Sequence, residues 1–216
     1  MQMIRTSKWD LFIQINEPPF KELLLEFLAT FSFNKSSTIF DLPNTVQFRL
    51  GDNRFQLSLT EFSIHCGFYN IEFTSSPEYQ QCLTDIGDAI PGMVWNNFRA
   101  PDTPDYDPRM TKGSAITDPA IRYLHRLITS TISGRRESTG VVSQRDLFYL
   151  HCFRNRRVPH LGYGFALYMD NMAKKKKGSL CGAPYITRLA KGLGVFNNLS
   201  GLTTTPPMMP FDIRIM

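Results

Sequence analysis

The residues of this chain that could do chemistry are its clustered cations. Arg135-Arg136, Arg154 with Arg156-Arg157, and Lys174-Lys175-Lys176-Lys177 each gather basic side chains in sequence, and Tyr149, Phe153, Tyr163, Phe165 and Tyr168 lie among them. Lysine and arginine neutralise phosphates and release condensed counterions, while aromatic faces stack on bases. The pattern fits a polyanion such as RNA or DNA, held electrostatically. Arg136, Arg154, Arg156, Arg157, Lys174, Lys175, Lys176 and Lys177 are the candidate contacts. No helix-turn-helix or RNA-recognition consensus accompanies them, so nothing points to sequence-specific reading. The four-lysine run could instead be a nuclear import signal or a solvated helix end.

Other chemistries lack their signatures. Cys66, Cys82, Cys152 and Cys181 are far apart. No C-x₂₋₄-C pair exists, which excludes a zinc ribbon or a retroviral-type zinc knuckle. His65-Cys66 and His151-Cys152 are adjacent pairs, but neighbours on a helix diverge, so each pair offers at most one good ligand. There is no G-x-S-x-G, no cysteine-protease signature, no Asp-Thr-Gly or Asp-Ser-Gly triplet, and no phosphate-cradling glycine loop. Gly162-Tyr-Gly164 and Gly192-Leu-Gly194 read as helix ends. Asp85 and Asp88 have ordinary helix-surface spacing. The expectation is a protein that is not an enzyme and needs no metal or cofactor. The first residues lack an apolar segment followed by small ones, and no stretch is long and apolar enough to span a bilayer. A nuclear or cytoplasmic location, without secretion or membrane partners, is expected.

The elements that must position the cations follow from periodicity and caps. Residues 16–33 read as a helix, with Asn16 or Glu17 at the cap, Pro18 and Pro19 in the first turn, and Phe20, Leu23, Leu24, Phe27, Leu28 and Phe31 as its apolar stripe. Residues 45–59 alternate around Gly51-Asp52-Asn53 and read as a β-hairpin. Ser58 and Glu61 have capping-box spacing for a short helix that stops at Gly67. A further helix is expected from Pro77 to about Asp88. Asp118 caps and Pro119 opens the clearest helix, with Ile121, Leu124, His125, Ile128 and Ile132 inward and Gly134 as its stop. His125 should therefore be buried, with a hydrogen-bond partner. Arg122 and Arg126, with Arg135 and Arg136 beyond the stop, could form a basic ridge; alternatively Arg135 or Arg136 pairs with Glu137 or Asp146. Ser143 with Asp146 opens another helix, and residues 160–173 and 184–193 supply two more. Phe27, Leu28, Phe31, Phe48, Leu57, Phe62, Leu124, Ile128, Leu147, Phe148 and Leu189 are the expected core.

The fold class is therefore α+β and predominantly α-helical, with six to seven helices and one β-hairpin. The charge is divided unevenly along it. Residues 1–108 carry seven Lys and Arg against fourteen Asp and Glu, a net −7, and residues 109–216 carry seventeen against five, a net +12. A polyanion is drawn to the second half, unless the acidic half docks there and covers it. The expected organisation is an acidic part over 1–98, a Pro- and Asp-rich loop over 99–114, a basic helical part over 115–200 packed on the first, and an extended tail over 201–216, all in one compact unit.

Residues 117–150 carry Asp118-Pro119, Arg122-Tyr123-Leu124-His125-Arg126, Gly134-Arg135, Glu137-Ser138-Thr139-Gly140 and Asp146-Leu147-Phe148. This stretch resembles the Athila-type plant retrotransposon first-open-reading-frame protein. Glu26-Phe27-Leu28-Ala29-Thr30-Phe31, Phe48-Arg49-Leu50-Gly51, Leu57 through Phe62 and Tyr185 through Ala190 are similar to its other segments, so the resemblance covers roughly residues 20–195. It implies a product of the Gag-like position of Gypsy-class plant elements, with no catalytic residues to carry over. RNA or DNA is the implied partner, with self-association beside it. The alternative is a domesticated module that kept the fold and binds a host protein.

Overall fold

The computed structural model describes residues 9–36, 41–84, 91–133, 140–175, 177–180, 182–205 and 209–212. Ten α-helical segments occur among these: α1 (Asp10–Gln14), α2 (Lys21–Thr30), α3 (Leu59–His65), α4 (Ile71–Thr74), α5 (Pro77–Thr84), α6 (Pro91–Asn96), α7 (Pro119–Ser130), α8 (Gln144–Arg154), α9 (Leu161–Ala173) and α10 (Ala183–Gly192). Strands β1 (Ser32–Phe33), β2 (Val46–Leu50) and β3 (Asn53–Leu57) form one antiparallel sheet; β4 (Lys177–Leu180) and β5 (Met209–Asp212) pair separately. The fold is α+β and helix-dominated, with the expected hairpin at its expected place. None of the helices among the described residues is long and apolar enough to cross a membrane.

The hairpin turns through Gly51 and Asp52, both at positive φ (58° and 63°), the pairing a two-residue turn requires. Val46, Phe48 and Leu50 point to the core. The turn is held by α2, because the Gly51 and Asp52 amides donate to the two oxygens of Glu26 at 2.8 and 3.1 Å. A third strand, β1, pairs Ser32 with Gln47 and Phe33 with Val46. It is too short to show alternation in sequence.

One correction concerns the start of α2. Its N-cap is Phe20, and no side chain caps it. Pro18 and Pro19 lie ahead of the helix, not in its first turn. Their carbonyls are engaged elsewhere: Thr187 Oγ1 donates to Pro18 O at 2.7 Å and the Thr205 amide to Pro19 O at 3.0 Å. The segment is an extended crossing between α10 and the tail. A second correction concerns the end of α7. It stops at Ser130, not at Gly134, which lies outside the described residues. Thr129, Ser130 and Thr131 each donate a hydroxyl back to a carbonyl three or four residues earlier. Such back-bonding competes with continued helix.

The other helices form where their caps stand. Ser58 with Glu61 and Ser143 with Asp146 make complete capping boxes. Asp118 accepts from the Ala120 and Ile121 amides. All eleven expected core residues are buried. Sequence reasoning missed Trp9 and Phe12, both 1% exposed. The Trp9 ring meets Tyr149 and Phe153 of α8 edge-on at 6.1 and 6.0 Å, fastening the first helix to the basic half.

Glycines set the position of α9. A Cβ at Gly162 would stand 1.9 Å from Ser63 Oγ of α3, and one at Gly164 would stand 1.9 Å from Tyr149 Oη of α8. Both glycines lie in the first turn of α9, where a side chain would push it off its neighbours. Tyr149 thus faces the start of α9, while Gln144 and Arg145 at the start of α8 share a cavity wall with Asn171 and Met172 near the end of α9. The two helices run antiparallel.

Candidate nucleic-acid interface

The antiparallel pair decides where the sequence clusters go. Arg154, Arg156 and Arg157 stand at the end of α8, and Lys174 and Lys175 at the end of α9. The 13-residue α9 separates these ends by about 20 Å at 1.5 Å per residue. The two clusters are therefore not brought together. Arg136 and Lys176 lie outside the described residues, as do Arg135, Glu137 and the side chain of Lys177.

Within each cluster the side chains differ in engagement. Arg154 donates from Nη1 to Asn97 O at 2.6 Å, and its guanidinium lies 5.7 Å from the centre of the Phe98 ring. It bridges α8 to the end of α6. Arg156 is exposed and sits at positive φ (55°) just past the helix. Arg157 is exposed, and its backbone carbonyl accepts from the Trp9 indole N–H. Lys174 reaches back one turn to Asp170 Oδ2 at 2.7 Å, a carboxylate that Lys35 also approaches at 3.6 Å. Lys175 is exposed and lines a cavity of about 480 Å³ with Arg145, Gln144, Ser133, Ser143 and Tyr168.

Lys112, Arg122 and Arg126 surround His125 in a second cavity of about 290 Å³, with Gly113, Ser114 and Gly140. His125 is 2% exposed, as its place on the α7 stripe demands. Its Nε2 lies 3.3 Å from Asp146 Oδ2. Asp146 is fully buried, and its other oxygen accepts from Ser133 Oγ at 3.1 Å. Because His125 lines one cavity and Ser133 the other, a single buried carboxylate joins the two basic concavities. Arg145 and Lys112 were missed by sequence reasoning. Each is a single cation with no basic neighbour in sequence, so a search for runs passes over it. Of the four arginines of the expected ridge, Arg122 and Arg126 stand on α7, with Arg122 donating from Nε and Nη2 to Ile116 O at 3.0 and 2.7 Å, and Arg135 and Arg136 lie outside the described residues.

Among the described residues, the acidic half meets the basic half most directly at α10. Glu17 meets Arg188 at 3.6 Å and Lys191 at 2.6 Å, pairing both cations of α10. Arg99 pairs with Asp105 within the first half. Among the acids of 109–216, Asp118 is spent capping α7, and Asp146 and Asp170 are buried. Among the described residues, the exposed charge of α7, α8 and α9 is net positive.

Nucleophilic and metal chemistry find no focus among the described residues. Cys66, Cys82 and Cys152 are buried, and burial pushes the Cys66 thiol well above its usual range. Cys181 lies outside the described residues. No three His, Cys, Asp or Glu side chains among those described come together as metal ligands would.

In comparison with known proteins, the family model described as ATHILA ORF-1 family matches residues 1–152. No curated protein and no solved structure matches the chain.

Proposed function

The chain belongs to the ATHILA ORF-1 family, a family of retrotransposon proteins, and from that premise we propose that it is a non-enzymatic, Gag-like protein that binds RNA or DNA through its basic second half and associates with copies of itself. The observation that carries this reading is the net positive charge on α7, α8 and α9. Arg126, Arg156, Arg157 and Lys175 are exposed, Arg145 is half-buried, and the nearby carboxylates are buried or capping. A surface of this kind attracts phosphates without reading bases. Arg136, Lys176 and Lys177 add to it by sequence position. Arg154 contributes charge while also bridging to Asn97, and Lys174 contributes while paired with Asp170.

The test is titration of fluorescent single-stranded RNA and double-stranded DNA with the purified protein at two salt concentrations. Binding that weakens steeply as salt rises is expected for both. Absence of binding at low salt overturns the reading and favours the alternative, a domesticated module for a host protein. For that alternative the chain offers a groove lined by Leu11, Phe68, Tyr69 and Phe73, flanked by an Ile71 that is 70% exposed.

A further inference from the structure

We propose that the cavity floored by His125 and rimmed by Lys112, Arg122 and Arg126 is a binding pocket for a terminal phosphate group, a phosphomonoester. The proposal rests on the nucleic-acid reading only for the source of that phosphate.

The pocket is built from the ring outward. His125 is almost wholly buried, and Asp146 holds its Nε2 from behind. Its Nδ1 has no hydrogen-bond partner among the described residues. The buried side-chain atoms without a partner among the described residues are Arg49 Nε and His160 Nε2, so Nδ1 instead opens on the cavity, where a ligand oxygen can reach it. Gly113 lies against that edge of the ring. A Cβ there would stand 2.8 Å from Nδ1 and 2.9 Å from Cε1. Gly113 is not at positive φ, so no backbone conformation demands glycine; the close approach of the His125 ring does.

The walls carry the charge. Lys112, Arg122 and Arg126 are exposed at the mouth, and among the described residues no acidic side chain lines the cavity. Arg122 spends two N–H groups on the Ile116 carbonyl, which fixes the guanidinium plane and leaves its remaining donors for a ligand. With Nε2–H turned to Asp146, a neutral His125 presents the Nδ1 lone pair to a P–OH group. A protonated one presents N–H to a phosphate oxygen. Both forms of a phosphomonoester therefore find a partner on the floor and cations at the rim.

The concavity selects the kind of phosphate. An internal phosphodiester is flanked by sugars on both sides and can meet Lys112 and Arg126 at the mouth, but it cannot descend to His125. A terminal phosphate can. It could belong to the end of a nucleic-acid strand or to a small phosphate ester, and the chemistry at the floor is shared.

The experiment has two arms on the full chain. In the first, inorganic phosphate is titrated while the His125 ring resonances are followed by NMR. A saturable shift is expected, lost in Gly113→Ala, whose methyl crowds the Nδ1 edge of the ring, and weakened in Arg126→Gln, an exposed change that leaves the core untouched. In the second, the same RNA sequence is compared with and without a terminal phosphate at fixed salt. The phosphorylated strand should bind about tenfold tighter, and the ratio should fall toward one in both variants. An unmoved His125 ring together with equal affinities overturns the pocket while leaving general nucleic-acid binding intact. A phosphate shift without binding of either RNA keeps the pocket, assigns it to small phosphate esters and overturns the nucleic-acid reading. A preference for the phosphorylated strand that survives both variants overturns this placement of the pocket.

Discussion

Asp146 is the residue on which the basic surface is mounted, and removing its carboxylate measures how much. One oxygen accepts from the Ser143 amide at 2.8 Å, closing the capping box of α8, and from His125 Nε2 at 3.3 Å. The other accepts from Ser133 Oγ at 3.1 Å. Asp146→Ala leaves three donors without this acceptor in a fully buried place. Hydrogen bonds to a charged group contribute about 1.5–3 kcal/mol each when well formed, and the bond to His125 is long. The expected loss is about 3–5 kcal/mol, or roughly 10 °C in melting temperature for a chain of this size. Asp146→Asn separates shape from charge. Its amide oxygen can take the place of the one facing Ser143 and His125, and its NH₂ can donate to Ser133 Oγ, whose hydroxyl rotates. That variant should lose only about 1 kcal/mol, mainly the favourable interaction of a carboxylate with the start of α8. Urea unfolding followed by circular dichroism gives both values. Equal, small losses in the two variants would refute the reasoning, because they would mean that the carboxylate is solvated and holds neither α7 nor α8.

Acid sensitivity should trace to His160, which burial keeps neutral by lowering its pKa from 6.5 to about 4. The unfolded chain takes up the proton first, so stability falls as pH drops from about 6.5 toward 4, by about 3 kcal/mol in total. His160→Asn can still cap α9 through the Tyr163 amide and removes the orphaned Nε2, so the urea midpoint should lose much of its slope over that window; an unchanged slope would count against His160. Gly162→Ala and Gly164→Ala should each cost about 1–3 kcal/mol by thermal melting, despite alanine's better helix propensity. Gly92→Ala in α6, with open space around it, should be neutral or stabilising by up to about 1 kcal/mol, and a similar result at all three positions would show that helix contact is not what selects glycine.

Much of the frame was legible because it is written locally. Capping boxes at Ser58 and Ser143, the Asp118-Pro119 start of α7 and the Gly51-Asp52 turn each depend on residues within a few positions of one another. His125 was legible as a buried residue for the same reason: it shares a helical stripe with Ile121 and Ile128. What escaped depends on distant parts of the chain. Pro18 and Pro19 suit the first turn of a helix, yet their carbonyls are claimed by Thr187 and Thr205. Trp9 and Phe12 become core only because α8 and Tyr185 come to meet them. The candidate interface divides in the same way. Runs of arginine and lysine are visible as runs, but the antiparallel course of α8 and α9 sends them to opposite ends and unites Lys175 with Arg145 instead.

The measurement closest to the central claim is the slope of log affinity against log salt for single-stranded RNA. It is compared between the unaltered chain and one in which Arg156, Arg157 and Lys175 are replaced by glutamine. These side chains are exposed, so the variant should fold normally. If they neutralise phosphates, the slope should become shallower by about 0.7 for each phosphate left without its cation, and affinity at low salt should drop with it. A folded variant with the affinity and slope of the unaltered chain would contradict the assignment of nucleic-acid binding to this surface.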